Sequence, residues 1–200
     1  MPERLKVGVV AIQGDFEAHA KCLASINCEP VRVLWKSDLA PLSALILPGG
    51  ESTTISRGLA RQNLYQPIRD FVATGRPVLG TCAGAILLAS RVVARESDSS
   101  FETIEALNVT AVRNAYGTQV DSFSSFPDLG TEKCADLQDL KCVFIRAPKL
   151  IDLGSEVEVL LRVKEAPVLV RQGKVLAATF HPELTLDTRV HVLLLSLVNR

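Results

Sequence analysis

The stretch Pro77-Val78-Leu79-Gly80-Thr81-Cys82-Ala83-Gly84-Ala85-Ile86-Leu87-Leu88 decides the fold. A short apolar run enters Gly-x-Cys-x-Gly and leaves it as an apolar run of helical character. The segment therefore predicts a strand over Pro77–Gly80, a sharp turn, and a helix over Ala83–Val93. It is the cysteine counterpart of the Gly-x-Ser-x-Gly nucleophile elbow. A turn this tight holds its central residue in a strained conformation. Side chains two positions to either side would collide, which explains Gly80 and Gly84. The turn lifts the Cys82 sulfur clear of the sheet, beside a helix N-terminus that favours a thiolate. It also aims the Ala83 amide at the place where an oxyanion would form. On this motif alone, a core cysteine beside a tight turn is the competing reading.

Outward from the elbow, continuous apolar strands alternate with helices. Leu5–Ile12, Val31–Trp35 and Ala44–Leu47 read as strands, and Phe16–Ile26, Ser52–Ala60 and Leu64–Thr74 as helices. That alternation predicts a mostly parallel sheet covered on both faces. In the second half Val109–Val112, Cys142–Ile145, Val157–Val163, Val168–Arg171 and Lys174–Phe180 are closely spaced strands. Gln172-Gly173 reads as a hairpin turn, and Asp187–Val198 as a closing helix. The polar stretches Ala94–Ile104 and Ser122–Ala135 read as surface loops. The expected fold is α/β: a single three-layer domain over residues 1–200, with helices flanking the sheet and a small antiparallel extension.

Composition agrees. The 200 residues carry 22 Lys+Arg against 22 Asp+Glu, with 48% hydrophobic residues, which excludes a disordered or fibrous chain. Zero formal net charge argues against a nucleic-acid partner. No signal-like or membrane-spanning apolar run is present, so a cytoplasmic protein with no membrane partner is expected. Five cysteines, an odd number without Cys-x-x-Cys, argue against a disulfide framework or a zinc site, and no metal or cofactor is expected.

A cysteine nucleophile needs a base, and the chain has three histidines. His181 ends a predicted strand in Phe180-His181-Pro182-Glu183-Leu184, where α/β folds gather ligand-binding groups. In extended chain Glu183 points the same way as His181, and Pro182 stiffens that geometry and bars a helix. A carboxylate beside an imidazole would act as the orienting third member of a triad. A strand-end histidine capped by its neighbour is the competing reading. His19, on an amphipathic helix pattern, and His191, in the closing helix, read as surface or packing residues.

A third feature is Leu45-Ile46-Leu47-Pro48-Gly49-Gly50-Glu51-Ser52-Thr53-Thr54, a strand, a Pro-Gly-Gly turn and a helix start capped by Ser/Thr. Its glycines admit a ligand close to backbone amides, and the helix start favours an oxyanion or carboxylate. It is not a Walker loop.

Together these segments resemble a class I, triad-type glutamine amidotransferase. Six segments occur in order: Val10-Ala11-Ile12-Gln13-Gly14, Leu47 to Thr53, Gly80 to Gly84, Val112-Arg113-Asn114-Ala115-Tyr116-Gly117, Phe144-Ile145-Arg146-Ala147-Pro148 and Phe180 to Leu184. The series is similar to the glutaminase subunits of pyridoxal 5′-phosphate synthases. The resemblance implies Cys82 as nucleophile, His181 as general base and acid, and Glu183 as its orienting partner. It implies that Gly50, Glu51 and Ser52 hold L-glutamine, with the Gly50 and Ala83 amides as oxyanion hole. Arg113, Ile145 and Arg146 would bind substrate, and Gln13 would respond to the synthase partner. That partner would be a separate (β/α)8-barrel subunit that receives the ammonia. The isolated glutaminase would be nearly inactive until docking sets the Gly49-Gly50 loop.

The family pattern Arg-Asn-x-Phe-Gly-Arg-Gln reads here Arg113-Asn114-Ala115-Tyr116-Gly117-Thr118-Gln119, and Thr118 removes a charge. Ala85 stands where a larger apolar residue is usual, and Ala94–Leu107 lacks a Leu-Gly turn. Other readings remain open at this stage. The chain could be the glutaminase of another amidotransferase, such as imidazole glycerol phosphate synthase. It could be a catalytically silent binding subunit, or a different cysteine hydrolase or redox sensor on the same sheet.

Overall fold

The computed structural model describes residues 4–93, 102–113, 122–128 and 135–198. The elements are β1 (Lys6–Val10), α1 (Phe16–Ser25), β2 (Glu29–Val33), β3 (Ala44–Leu47), α2 (Ser52–Arg61), α3 (Tyr65–Ala73), β4 (Val78–Thr81), α4 (Ala83–Leu88), β5 (Ala89–Val93), β6 (Leu107–Val112), β7 (Ser122–Ser125), β8 (Cys142–Ile145), β9 (Lys149–Ile151), β10 (Glu158–Val163), β11 (Ala166–Gln172), β12 (Val175–Ala178) and α5 (Arg189–Ser196).

The main sheet runs β10-β11-β12-β4-β3-β1-β2. The strands from β12 to β2 are parallel, and β10 and β11 add an antiparallel extension at one edge. Strand residues alternate between two apolar layers, as the period of two requires. Val10, Leu45, Leu47, Val78 and Ala177 pack with Ile55, Leu59, Ile68, Phe71 and Leu87 of α2, α3 and α4. Val7, Val9, Ala44, Ile46, Leu176 and Ala178 pack on the other face with Leu23 of α1 and Val190 and Leu194 of α5. Both faces are covered, so the strands read as unbroken apolar runs. The three layers are those expected from the sequence.

Four local expectations are corrected. The helix predicted over Ala83–Val93 ends at Leu88; Ala89 turns to extended backbone (ψ 148°), and Ala89–Val93 becomes β5, paired with β6. Arg91, Val92 and Val93 supply strand-type partners, and pairing outweighs a weak helical signal. Part of the loop predicted over Ser122–Ala135 is strand β7, antiparallel to β8, with Phe123 stacked on Phe144 at a centroid distance of 4.7 Å. The cap of α2 is Glu51 rather than a serine or threonine; its carboxylate accepts from the Thr53 and Thr54 amides at 3.1 and 2.6 Å. Pro182 does not bar a helix. It opens a single 3-10 turn over Pro182–Leu184, at a first position that needs no amide hydrogen. Residues 94–101 and 114–121, with Tyr116 and Thr118, lie outside the described residues.

Candidate active site

The carboxyl ends of β1, β3, β4 and β12 open onto one cleft of about 300 Å³, the region where parallel α/β sheets bind ligands. It is lined by Gln13, Asp15, Gly50, Glu51, Ser52, Cys82, Ala83, Ile86, Arg113, Ile145, Arg146 and His181. Of the residues that the resemblance assigns to the site, all are among them except Glu183, which stands behind His181. Asp15 and Ile86 were not foreseen: Asp15 sits in a loop, without an apolar pattern or motif to mark it.

Cys82 has φ 46° and ψ −102°, the strained conformation the elbow demands. Its amide is held by the Ala178 carbonyl at 2.8 Å, which ties the turn to β12. The two glycines have distinct steric roles. A Cβ on Gly80 would lie 2.5 Å from the Gly84 carbonyl oxygen, and one on Gly84 would overlap the Leu47 carbonyl of the neighbouring strand. The expected collision is therefore real at both positions. The Cys82 thiol faces the Ile145 carbonyl at 3.6 Å.

His181 follows β12 and is anchored through its amide to the Val143 carbonyl of β8 at 2.8 Å. The 3-10 turn then folds Glu183 back so that Oε1 lies 2.7 Å from His181 Nδ1. Both side chains are buried. Burial by itself would lower the His181 pKa; hydrogen bonding to Cys82 and Glu183, and their charges, override it and push it up to about 10. That shift favours the charged imidazole, the form that can donate a proton.

The Pro-Gly-Gly loop passes beside this pair. A Cβ on Gly49 would clash with the His181 ring and come within 3.3 Å of the Cys82 Cβ. The Gly49 carbonyl abuts Gly14 so closely that a Cβ there would overlap it. The Gly49–Gly50 peptide is trans, so the Gly50 amide faces away from Gly14. Gln13 Oε1 accepts the Glu51 amide at 2.7 Å. Burial works to raise the Glu51 pKa, but the bonds from Thr54 and Thr53 outweigh it and hold the carboxyl below its usual range. Arg113 donates to Thr53 Oγ1 at 2.9 Å and lies 4.0 Å from Glu51 Oε1.

Of the two readings left open for His19 and His191, surface or packing, the second holds: both are fully buried, with His19 Nε2 3.5 Å from Glu183 Oε2. The helical pattern around His19 correctly placed it on α1, but carried no signal of what α1 packs against. Among the described residues, Asp15, His181 and Glu183 bring potential ligand atoms within 4.8 Å of one another. A cation held there would compete with proton transfer at His181.

An elbow cysteine beside a buried histidine–carboxylate pair at the wall of a cleft supplies the nucleophile and base of an acyl-transfer site. The fold is that of the glutamine amidotransferases. A solved structure described as a glutamine amidotransferase matches with TM-score 0.87 at 43% identity, covering 97% of this chain and 99% of its own. The Thermotoga maritima PurLQS structure matches with TM-score 0.69 at 17% identity over 97% of this chain and 99% of its own, a likeness of fold alone. The chain belongs to the SNO glutamine amidotransferase family, whose sequence profile matches residues 9–200. It is 47% identical over 194 residues to the pyridoxal 5′-phosphate synthase subunit PdxT of Frankia alni, covering 96% of this chain and 94% of that one. It is 44% identical over 187 residues to PdxT of Kosmotoga olearia, covering 94% of each.

Proposed function

We propose that the protein is the glutaminase subunit of a pyridoxal 5′-phosphate synthase. In this reading it is one cytoplasmic domain that hydrolyses L-glutamine to L-glutamate. It passes the ammonia to a separate (β/α)8-barrel synthase chain. The observation that carries the reading is the His181–Glu183 pair, 2.7 Å apart and buried, coupled to the strained Cys82 at the wall of the cleft. Family membership and the PdxT relatives supply the class of substrate and assembly.

The chemistry follows from these groups. Cys82 sulfur attacks the side-chain carbonyl carbon of glutamine. The tetrahedral oxyanion rests on the Ala83 and Gly50 amides. Charged His181 gives its proton to the amide nitrogen, the carbon–nitrogen bond breaks, and ammonia leaves a thioester on Cys82. Neutral His181 then takes a proton from water as the water attacks the thioester, releasing glutamate and the sulfur. Glu183 keeps the imidazole oriented and stabilises its charged form. Arg113 and Arg146 supply positive charge for the substrate carboxylate, Glu51, Ser52 and the Ile145 segment complete the pocket wall, and Gln13 links the partner-facing loop to the Gly50 turn.

The test is ammonia release from glutamine, with and without the purified barrel subunit. Release stimulated by the partner and abolished in Cys82→Ala is expected. Absence of release in both conditions, from folded protein, would sink the proposal.

A further inference from the structure

Behind the triad lies a chain of buried polar groups that the mechanism above does not use. His19 Nδ1 is 3.0 Å from His191 Nε2, and His19 Nε2 is 3.2 Å from Thr81 Oγ1. The same Nε2 lies 3.5 Å from Glu183 Oε2, the carboxylate oxygen turned away from His181. Among the described residues Oε2 has no hydrogen-bond partner of ordinary geometry, and it is fully buried. A buried carboxylate oxygen in that position needs a donor. The one imidazole thus stands between Thr81, which precedes the nucleophile on β4, and the carboxylate that orients the base.

We propose that His19 is a positioning residue, whose Nε2–H faces Glu183 Oε2 and Thr81 Oγ1 and locks the orienting carboxylate to the strand end that carries Cys82. The inference rests on the triad roles proposed above. The geometry selects the tautomer. With the proton on Nε2, His19 offers a donor to Glu183 and Thr81, and its Nδ1 accepts from His191 Nε2–H. With the proton on Nδ1, a nitrogen lone pair would face a carboxylate oxygen. His191 Nδ1 is then an acceptor left without a partner, as observed among the described residues. The surroundings of both rings favour the neutral form. Burial, reinforced by the neighbouring His191 and His181, lowers the His19 pKa well below its ordinary value, and burial lowers that of His191 to about 4. A neutral donor orients Glu183 without neutralising it, so the carboxylate keeps its full charge for His181. At 3.5 Å the contact is longer than an ordinary hydrogen bond, so the proton on Nε2 is shared unequally, nearer to Thr81 Oγ1 at 3.2 Å.

Two measurements test this. In the unmodified protein, nitrogen-15 NMR of the His19 ring between pH 6 and 9 should report a neutral ring with its proton on Nε2; the Nδ1–H tautomer would overturn the proposal. In partner-supported glutaminase assays, His19→Leu fills the space without a donor, whereas His19→Gln restores one. His19→Leu should lower kcat about tenfold or more with KM for glutamine within twofold, and His19→Gln should recover most of the loss. A His19→Leu enzyme with wild-type kcat, or a His19→Gln enzyme as slow as His19→Leu, would show that the ring only packs. A wild-type protein without partner-stimulated ammonia release would overturn the glutaminase reading instead, and the tautomer, measured without substrate, would still decide the role of His19.

Discussion

Gln13 Oε1 accepts the backbone amide of Glu51 at 2.7 Å, joining the loop after β1 to the Pro-Gly-Gly turn after β3. The bond fixes the peptide next to Gly50, whose own amide is the proposed oxyanion donor. An ordinary hydrogen bond contributes about 1 kcal/mol, or roughly fivefold in rate if it is needed in the transition state. Gln13→Ala should therefore lower partner-stimulated kcat about fivefold to tenfold while Cys82 stays open to alkylation. Steady-state assays at saturating partner would decide it, and an unchanged kcat would remove Gln13 from the oxyanion loop's support.

Gly84 carries a prediction about stability alone. Its missing Cβ would overlap the Leu47 carbonyl, and backbone cannot yield as a flexible side chain can. Overpacking of this kind costs about 1–3 kcal/mol, or roughly 2–12 °C in Tm for a chain this long. Gly84→Ala should melt lower by that amount, whereas Gly75→Ala, where a Cβ would meet nothing within 4 Å but φ is +74°, is limited to backbone strain. Thermal unfolding followed by circular dichroism would compare the two. Equal losses would contradict the steric account of the elbow.

His181 makes stability depend on pH. Its pKa stands at about 10 in the folded chain against 6.5 for the ordinary group, so the folded state binds this proton more tightly. The resulting stabilisation is complete below about pH 6.5 and fades as the pH rises through 10. Denaturant midpoints of the wild type should therefore fall between pH 7 and pH 10. Glu183→Gln removes the carboxylate that helps hold the proton, and should flatten that fall. Parallel slopes in the two proteins would mean that Glu183 does not support the imidazolium.

Arg113 is predicted to act on binding. It is nine-tenths buried, held by Thr53, and presents its charge to the cleft. A planar guanidinium suits a carboxylate better than a point charge does. Arg113→Lys should raise KM for glutamine about tenfold and leave kcat within twofold. A loss confined to kcat would assign the arginine to the reacting end of the substrate instead.

Much of the site was legible because its signals are local. The elbow needs a strand, two glycines and a helix within a dozen residues, and a neighbouring backbone enforces the glycines whatever the rest of the chain does. His181 and Glu183 are two residues apart, so one short turn suffices to join them, even though that turn is 3-10 rather than extended. The unbroken apolar strands announced a sheet covered on both faces, because side chains on either face must leave water.

The misread elements depended on distant partners. The stretch after Leu88 is apolar enough for either helix or strand, and only pairing with β6 settles it. The Ser-Phe-Ser-Ser of β7 is polar enough for a loop, and becomes a strand because Phe123 finds Phe144. His19 shows the division most clearly. The sequence by itself determined that α1 carries it, through a helical pattern spanning a few turns. Only the tertiary structure decided that it is buried against Thr81, Glu183 and His191, up to 172 residues away. A helical pattern records which face is apolar, whereas the groups that face meets are set by how the layers stack.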